Sequence, residues 1–431
     1  MITTRLSGEK MERAKLRRDR FLGFFKAHGV KFPQNNLSKP YWNSLSPGCW
    51  TCVNGTWSCI FINRLCTRNC FYCPREEKKE RIPESEGLTF RNPDSYIDHL
   101  RKFDYRGVGF SGGEPLIVFD KLVEYIVRIR EAFGKRHYLW VYTNGDLVTP
   151  ERLRLLNKSG LNELRFDLAA RDYDLGPLRL AVNFIHTVTV EIPAIPEDLK
   201  IVRSLIKELD ALGVKFINIH QLHSSRSNEK EFKKRGYTLL VSDFFRGRSP
   251  VLESELAALE IMKYAVQIKS KMGINYCSFC YKGRFQGMAY RKRYAPLFKD
   301  LNESITETGL IRSVVLPARG TSKTVSSNEL WKAPEMKDEH SPIEINYYSI
   351  KKNRKALIRS IEFRNETSKT LYNKLFLERK NTGKVLQEIS KRYRLKKDDL
   401  PSVSEDIHSF RREFEDLEYN PRHLPDYRQL Q

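Results

Sequence analysis

Eight cysteines carry the clearest chemical signal in this chain, at positions 49, 52, 59, 66, 70, 73, 277 and 280, and six of them fall within 25 residues. Cys66-Thr67-Arg68-Asn69-Cys70-Phe71-Tyr72-Cys73 spaces three thiols as C-x3-C-x2-C. Three thiolates closing on one loop can hold three irons of a cubane cluster, leaving the fourth open to an exogenous ligand. A closed zinc site takes four ligands, and this triplet supplies three. Cys49-x2-Cys52 and Cys277-x2-Cys280 are two further chelating pairs. Together they suit an auxiliary 4Fe–4S cluster or a mononuclear iron or zinc, the alternative being that they form no second site. Cys59 is either a fifth ligand candidate or a small buried core residue.

These side chains need a scaffold, and the hydrophobic pattern supplies one. Candidate strands run over 57–63, 107–110, 138–142, 163–166, 187–192, 216–219 and 274–277. Helix-like stretches lie between them, near 93–103, 118–134, 150–158, 176–184, 197–212 and 253–271. Such alternation predicts βαβ units and a parallel sheet. Seven strands suit a full or partial (β/α) barrel, with its chemistry at the C-terminal strand ends. The triplet directly follows the first strand, where that rule puts a site. A basic helix is expected over 8–29 and a loop over 32–56. The chain divides on this reading into 1–56, a barrel over 57–317, a linker over 318–341 and a C-terminal α+β domain over 342–431. That last part reads as two strands, 343–350 and 356–363, followed by three helices near 366–378, 382–393 and 401–417.

The triplet, with Tyr72 before its last cysteine, resembles the signature of the radical SAM superfamily. A second element agrees: Ser111-Gly112-Gly113-Glu114-Pro115 follows the second strand, with Gly112 39 residues past Cys73. The resemblance implies a 4Fe–4S cluster on Cys66, Cys70 and Cys73 whose open iron binds S-adenosylmethionine. Electron transfer then cleaves the sulfonium to a 5′-deoxyadenosyl radical that abstracts hydrogen from a substrate. It implies that Gly112, Gly113 and Glu114 hold the methionine end and that Asp167 holds the ribose. Tyr72, Asn144, Glu191 and His220 join these as cofactor-site candidates, the last three from strand ends. Their alternatives are a turn at 143–145 and structural roles for Glu191 and His220, with a helix cap for Asp167. More narrowly, the chain resembles uncharacterised radical SAM proteins related to pyruvate formate-lyase activating enzyme. Cys49-Trp50-Thr51-Cys52, Trp57-Ser58-Cys59-Ile60-Phe61 and Tyr276-Cys277-Ser278, with Lys282 and Gln286, carry that likeness over roughly 45–315.

Composition narrows the partners. The chain has 431 residues, 76 Lys+Arg against 53 Asp+Glu, and a net charge of +23. Forty percent of residues are hydrophobic, which excludes global disorder. No run of about 18 apolar residues occurs, which excludes a membrane helix. The N-terminus has no apolar core of signal-peptide length, so a reducing, cytoplasmic setting is expected. The basic excess fits either a solvated surface or an acidic partner. The C-terminal pattern resembles the PqqD-like winged helix that accompanies radical SAM peptide maturases; a nucleic-acid-binding winged helix and a structural cap are its alternatives. Four functions follow: modification of a ribosomal peptide or protein, modification of tRNA, activation of a glycyl-radical enzyme, or non-catalytic iron–sulfur binding. A flavodoxin or ferredoxin reductant is expected. Cobalamin is not, since the 56 residues before the first strand are too few for its domain.

Overall fold

In a computed structural model the described residues form two compact units that divide between Gly287 and Met288. Described here are residues 8–74, 79–240, 248–318, 321–325, 343–363, 366–378, 381–394, 396 and 400–418.

The first unit opens with α1 (Gly8–Ala27), β1 (Tyr41–Trp42) and α2 (Pro47–Val53). Then come β2 (Trp57–Asn63), β3 (Glu84–Ser85), β4 (Leu88–Thr89), α3 (Pro93–Lys102), β5 (Gly107–Gly112) and α4 (Phe119–Phe133). The repeat continues through β6 (Tyr138–Thr143), α5 (Pro150–Lys158), β7 (Glu163–Phe166), α6 (Gly176–Ala181), β8 (Thr187–Pro193), α7 (Leu199–Ala211) and β9 (Phe216–His220). It closes with α8 (Glu229–Lys234), α9 (Leu252–Gln267) and β10 (Gly273–Cys277). The sheet order is β1-β10-β9-β8-β7-β6-β5-β2-β3-β4. The seven strands from β2 to β10 that the sequence indicates all pair in parallel. No pairing joins β10 to β2 among the described residues, so this is a partial barrel.

Strand parity decides what faces inward, because successive side chains point to opposite faces. Val108 and Phe110, Leu139 and Val141, Val188 and Val190, and Ile217 and Ile219 are wholly buried. The alternate positions of these strands, with those of β7 and β10, carry Trp140, Tyr142, Arg165, Glu191, Asn218, His220 and Cys277, which line one cavity. Helices begin on a repeated signal of polar cap and proline. Asn92 accepts from Ser95 N at 2.9 Å ahead of Pro93, and Thr149 from Arg152 N at 3.3 Å ahead of Pro150.

The expected loop over 32–56 is not all loop. Ser46 caps α2, accepting from Cys49 N at 3.1 Å ahead of Pro47. β1 pairs antiparallel with β10 through Tyr41 and Asn275. Lys39 supports this pairing from within, donating to Asn275 Oδ1 at 2.9 Å.

The second unit contains α10 from Met288 on (the helix spans Gly287–Phe298), β11 (Ser304–Ile305), β12 (Ile311–Ala318) and β13 (Thr321–Val325). After these come β14 (Ile343–Lys351), β15 (Arg354–Phe363), α11 (Glu366–Tyr372), α12 (Thr382–Tyr393) and α13 (Leu400–Glu418). The hairpin and three helices lie where the sequence places them. Two features differ from the expected boundaries. Residues 288–317, read with the barrel, belong to the second unit, where Ile311–Val315 pair with β14, matching Val314 to Ile345. Thr321–Val325, read as linker, pairs with β12; the remainder of 319–342 lies outside the described residues. The physical reason is burial: Val314, Ile345 and Tyr347 are wholly buried in one core with Tyr372, Val385 and Phe414. Glu418 ends α13 inside this core, accepting from Tyr347 and Tyr372 at 2.7 Å each and from Arg312 at 2.7 Å.

Candidate functional site

The Cys66–Cys73 loop leaves the C-terminal end of β2 and is held from several elements. Asp146 accepts from Thr67 Oγ1 at 2.7 Å, from both Nε and Nη2 of Arg68 at 2.7 and 2.6 Å, and from Arg171. Its carboxylate is thereby held well below the usual range, chiefly by Arg68. Asn144, just after β6, donates to Thr67 Oγ1 at 2.8 Å and lies 3.8 Å from Cys66 Sγ. Asn228 donates to the Tyr72 carbonyl at 3.1 Å. Arg235 stacks 3.8 Å over the Phe71 ring. All three cysteines are partly accessible, and burial pushes the Cys70 thiol up to about 11.

Gly112 sits at φ +117°, where a Cβ would stand 2.0 Å from the Asn63 carbonyl oxygen. Only glycine permits this approach of β5 to β2. Gly113 N then donates to that same oxygen at 3.0 Å. The Glu114 side chain turns inward and is 1% exposed. It accepts from Asn144 N at 2.7 Å, Leu116 N at 3.0 Å and Thr143 Oγ1 at 3.0 Å. Its carboxylate therefore knits the ends of β5 and β6 rather than standing free for an ammonium. Burial raises its pKa to about 7.

Asp167 follows β7 and accepts from Tyr72 Oη at 3.0 Å. Its second oxygen, Oδ1, is buried and has no partner among the described residues. Burial lifts this carboxyl to about 7. An unsatisfied buried acceptor on a cavity wall is a place for a ligand hydroxyl.

Deeper in the cavity, the Arg165 guanidinium pairs with Glu163 at 3.0 Å and Glu191 at 3.2 Å, and donates to Ser46 Oγ at 2.9 Å. Glu191 also accepts from Asn218 at 2.5 Å and contacts His220. Gly48 of α2 leaves room for this guanidinium, 2.6 Å from where a Cβ would be. The helix thus seats its cysteines against the barrel interior.

The second cysteine set divides. Cys49 and Cys52 lie one turn apart on α2 and cluster with Cys277, Tyr41 and Tyr281. Cys49 Sγ lies 3.6 Å from Asn218 Oδ1, and Gln286 donates to Cys52 Sγ at 3.2 Å. Cys277 is the cross-strand neighbour of His220. Lys39 lies among these thiols, its ammonium 4.7 Å from the Tyr281 ring centroid. Against the cost of burial, Lys39 and His220 hold the Cys277 thiol down, to about 6. Cys280 is not with them. Cys277 ends a strand and Cys280 lies in the following helix, so their side chains part. Cys280 faces Arg284, Glu255 and Arg18, and burial pushes it up to about 12. Cys59 lines the cavity from β2 beside Ser111 and Arg165, and burial pushes it to about 12.

One cavity of about 480 Å³ joins all of this. Cys66, Cys70 and Cys73 line it, as do Tyr72, Gly112, Gly113, Glu114, Asn144, Asp167, Glu191 and His220, together with Cys49, Cys52 and Cys277. Cys280 is absent from its walls. Sequence reasoning missed Lys39, Asp146 and Arg165, which have no motif of their own. Among the described residues no three His, Cys, Asp or Glu converge on a point that would hold one metal ion. A cubane does not ask for such convergence, because each thiolate takes a separate iron. Three thiols on one loop at a cavity, beside an unsatisfied carboxylate oxygen, fit a cubane with a bound nucleoside.

A partial barrel of parallel strands with a thiolate triplet at its C-terminal mouth defines an iron–sulfur enzyme class. Residues 60–189 match the radical SAM superfamily. The chain is 30% identical over 341 residues to a putative glycyl-radical enzyme activating enzyme of Methanocaldococcus jannaschii, covering 75% of this chain and 83% of that one. It is 29% identical over 107 residues to an S-adenosyl-L-methionine-dependent 2-deoxy-scyllo-inosamine dehydrogenase of Niallia circulans, 24% of this chain and 41% of the other. Among solved structures it is similar to SuiB of Streptococcus suis bound to the precursor peptide SuiA. That match has a TM-score of 0.40 at 12% identity, over 68% of this chain and 62% of that chain. The radical S-adenosylmethionine methyltransferase TsrM of Kitasatospora setae matches at TM-score 0.32 and 16% identity, over 45% and 42%. This chain belongs to the radical SAM superfamily and is related to proteins like the activating enzyme of pyruvate formate-lyase. It is an enzyme of that class, with a 4Fe–4S cluster and S-adenosylmethionine as the family's cofactors. No helix among the described residues is long and apolar enough to cross a membrane.

Proposed function

We propose that the protein uses S-adenosylmethionine to take a hydrogen atom from a polypeptide substrate. Cys66, Cys70 and Cys73 would hold the cluster that supplies one-electron cleavage of the sulfonium. Tyr72 positions Asp167, whose free Oδ1 accepts a ribose hydroxyl. Gly112 and Gly113 bring backbone against the methionine end, and Glu114 fixes that backbone from behind. Asn144 orients Thr67 and the Cys66 side of the loop. Glu191 and His220 face the substrate side of the cavity. A second iron–sulfur site uses the deeper cysteines, with a flavodoxin or ferredoxin as reductant and no cobalamin.

The observation that carries the polypeptide reading is β15. It is the terminal strand of its sheet among the described residues, ten residues long, with Arg354 and Arg359 exposed along it. Such an edge takes an extended peptide as an added strand, and arginines favour an acidic one. The tRNA reading draws on the same charge, but Arg18, one of its N-terminal arginines, is 5% exposed and faces Glu255. A glycyl-radical activase is the second reading, favoured by the likeness to the Methanocaldococcus protein.

Deuterated cell extract tests the substrate class. Transfer of deuterium into 5′-deoxyadenosine is expected with the macromolecular fraction, and its loss after protease but not ribonuclease. Loss after ribonuclease alone, or transfer only with the small-molecule fraction, refutes the polypeptide reading. Transfer from a purified glycyl-radical enzyme alone selects the activase.

A further inference from the structure

Cys49, Cys52 and Cys277 come together at the deep end of the cavity, while Cys280 turns away into the packing of α1 and α9. The thiolate count at this second site is therefore three. A three-thiolate cubane leaves one iron without a protein thiolate, as the Cys66–Cys73 loop does. All three cysteines line the cavity, so that iron would face it.

The surroundings indicate what it takes. Lys39 is 2% exposed, with its ammonium on Asn275 and the Tyr281 ring. It would offset the negative charge of a cluster with three thiolates. Lys282 is different. It lines the same cavity near Cys277, Cys52 and Glu191, yet its ammonium has no hydrogen bond or ion pair with any described residue. Glu191 is already engaged by Arg165, Asn218 and His220. A half-buried ammonium on a cavity wall, without a partner there, calls for an anion from outside.

We propose that Cys49, Cys52 and Cys277, without Cys280, are the whole thiolate set of the second cluster, and that its open iron binds a carboxylate of the substrate paired with Lys282. The proposal rests on the reading of a second iron–sulfur site given above. On a polypeptide the group is an acidic side chain or a C-terminus.

Iron analysis and EPR on the full chain test it. Carrying Cys66, Cys70 and Cys73→Ala, the protein keeps only the second cluster, expected at about four irons. Adding Cys280→Ser leaves that content unchanged; adding Cys277→Ser removes most of it. Ferricyanide takes one electron, the open iron departs as Fe²⁺, and a three-iron EPR signal appears. Citrate, a carboxylate probe, shifts the EPR spectrum of the reduced cluster, and Lys282→Met raises the citrate concentration needed about tenfold. Equal iron loss with Cys280→Ser and Cys277→Ser overturns the three-thiolate assignment while leaving a second cluster standing. No effect of citrate overturns the carboxylate role. No iron in the triple-alanine protein, with a normal melting transition, removes the second site itself. In the otherwise unaltered chain, about eight irons retained by Cys280→Ser and about four by Cys277→Ser give the same answer without the triple substitution.

Discussion

Gly112 is the residue where one atom decides most. Gly112→Ala forces a Cβ onto the Asn63 carbonyl at a φ that L-residues avoid. A loss of about 2–4 kcal/mol is expected, read as a lower urea midpoint, with cluster iron falling alongside. Glu114 makes a pH statement. Its folded pKa of about 7 exceeds its ordinary 4.5, so the folded state holds the proton more tightly. The stability it contributes is fully present below pH 4.5 and fades as pH rises through about 7. In metal-free protein, Glu114→Gln is expected to flatten that decline in urea titrations between pH 5 and 8. An unchanged slope would place the titration elsewhere. The Gly-Gly-Glu motif was legible in the sequence, but the direction of the Glu114 side chain was not. A carboxylate suits an ammonium and three neutral donors equally well, and only the fold says which are near.

At the scale of elements, short motifs work because other strands hold them. Asp146 clamps the cluster loop through Thr67, Arg68 and Arg171. Asp146→Ala is expected to weaken S-adenosylmethionine binding about tenfold by calorimetry on the iron-loaded protein, with iron content largely kept. Those contacts are charge-assisted and their loss loosens the loop without removing a ligand. Ser46 both caps α2 and accepts from Arg165. Ser46→Ala is expected to cost about 1–2 kcal/mol and to loosen the Cys49 and Cys52 thiols, seen as faster thiol labelling in the metal-free protein. The helix start at Ser46-Pro47 carries the same signal as Asn92-Pro93 and Thr149-Pro150. It was obscured because Pro47, Gly48 and Gly55 also punctuate a loop, and seven residues are too few to show a period.

Across the whole molecule, each compact unit has its own buried charge centre. In the second unit Glu418 gathers Arg312, Tyr347 and Tyr372 in a dry core. Glu418→Ala takes the carboxylate away from the buried Arg312 guanidinium, and a loss of about 3 kcal/mol in that unit is expected by chemical denaturation. Iron content of the first unit is the control, expected to stay unchanged. A coincident loss of iron would show that the two units unfold together.

The sequence by itself determined the cofactor class, the seven parallel strands and the hairpin with its three helices. Those rest on local quantities: cysteine spacing along one loop, and side-chain parity along one strand. Tertiary structure alone decided that Cys280 lies apart from Cys49, Cys52 and Cys277, that Ile311–Ala318 joins the C-terminal sheet, and that Lys39, Arg165 and Lys282 line the cavity. A C-x2-C spacing guarantees a shared face on a helix such as α2. Across the end of β10 it does not, because the chain changes from strand to helix between the two sulfurs.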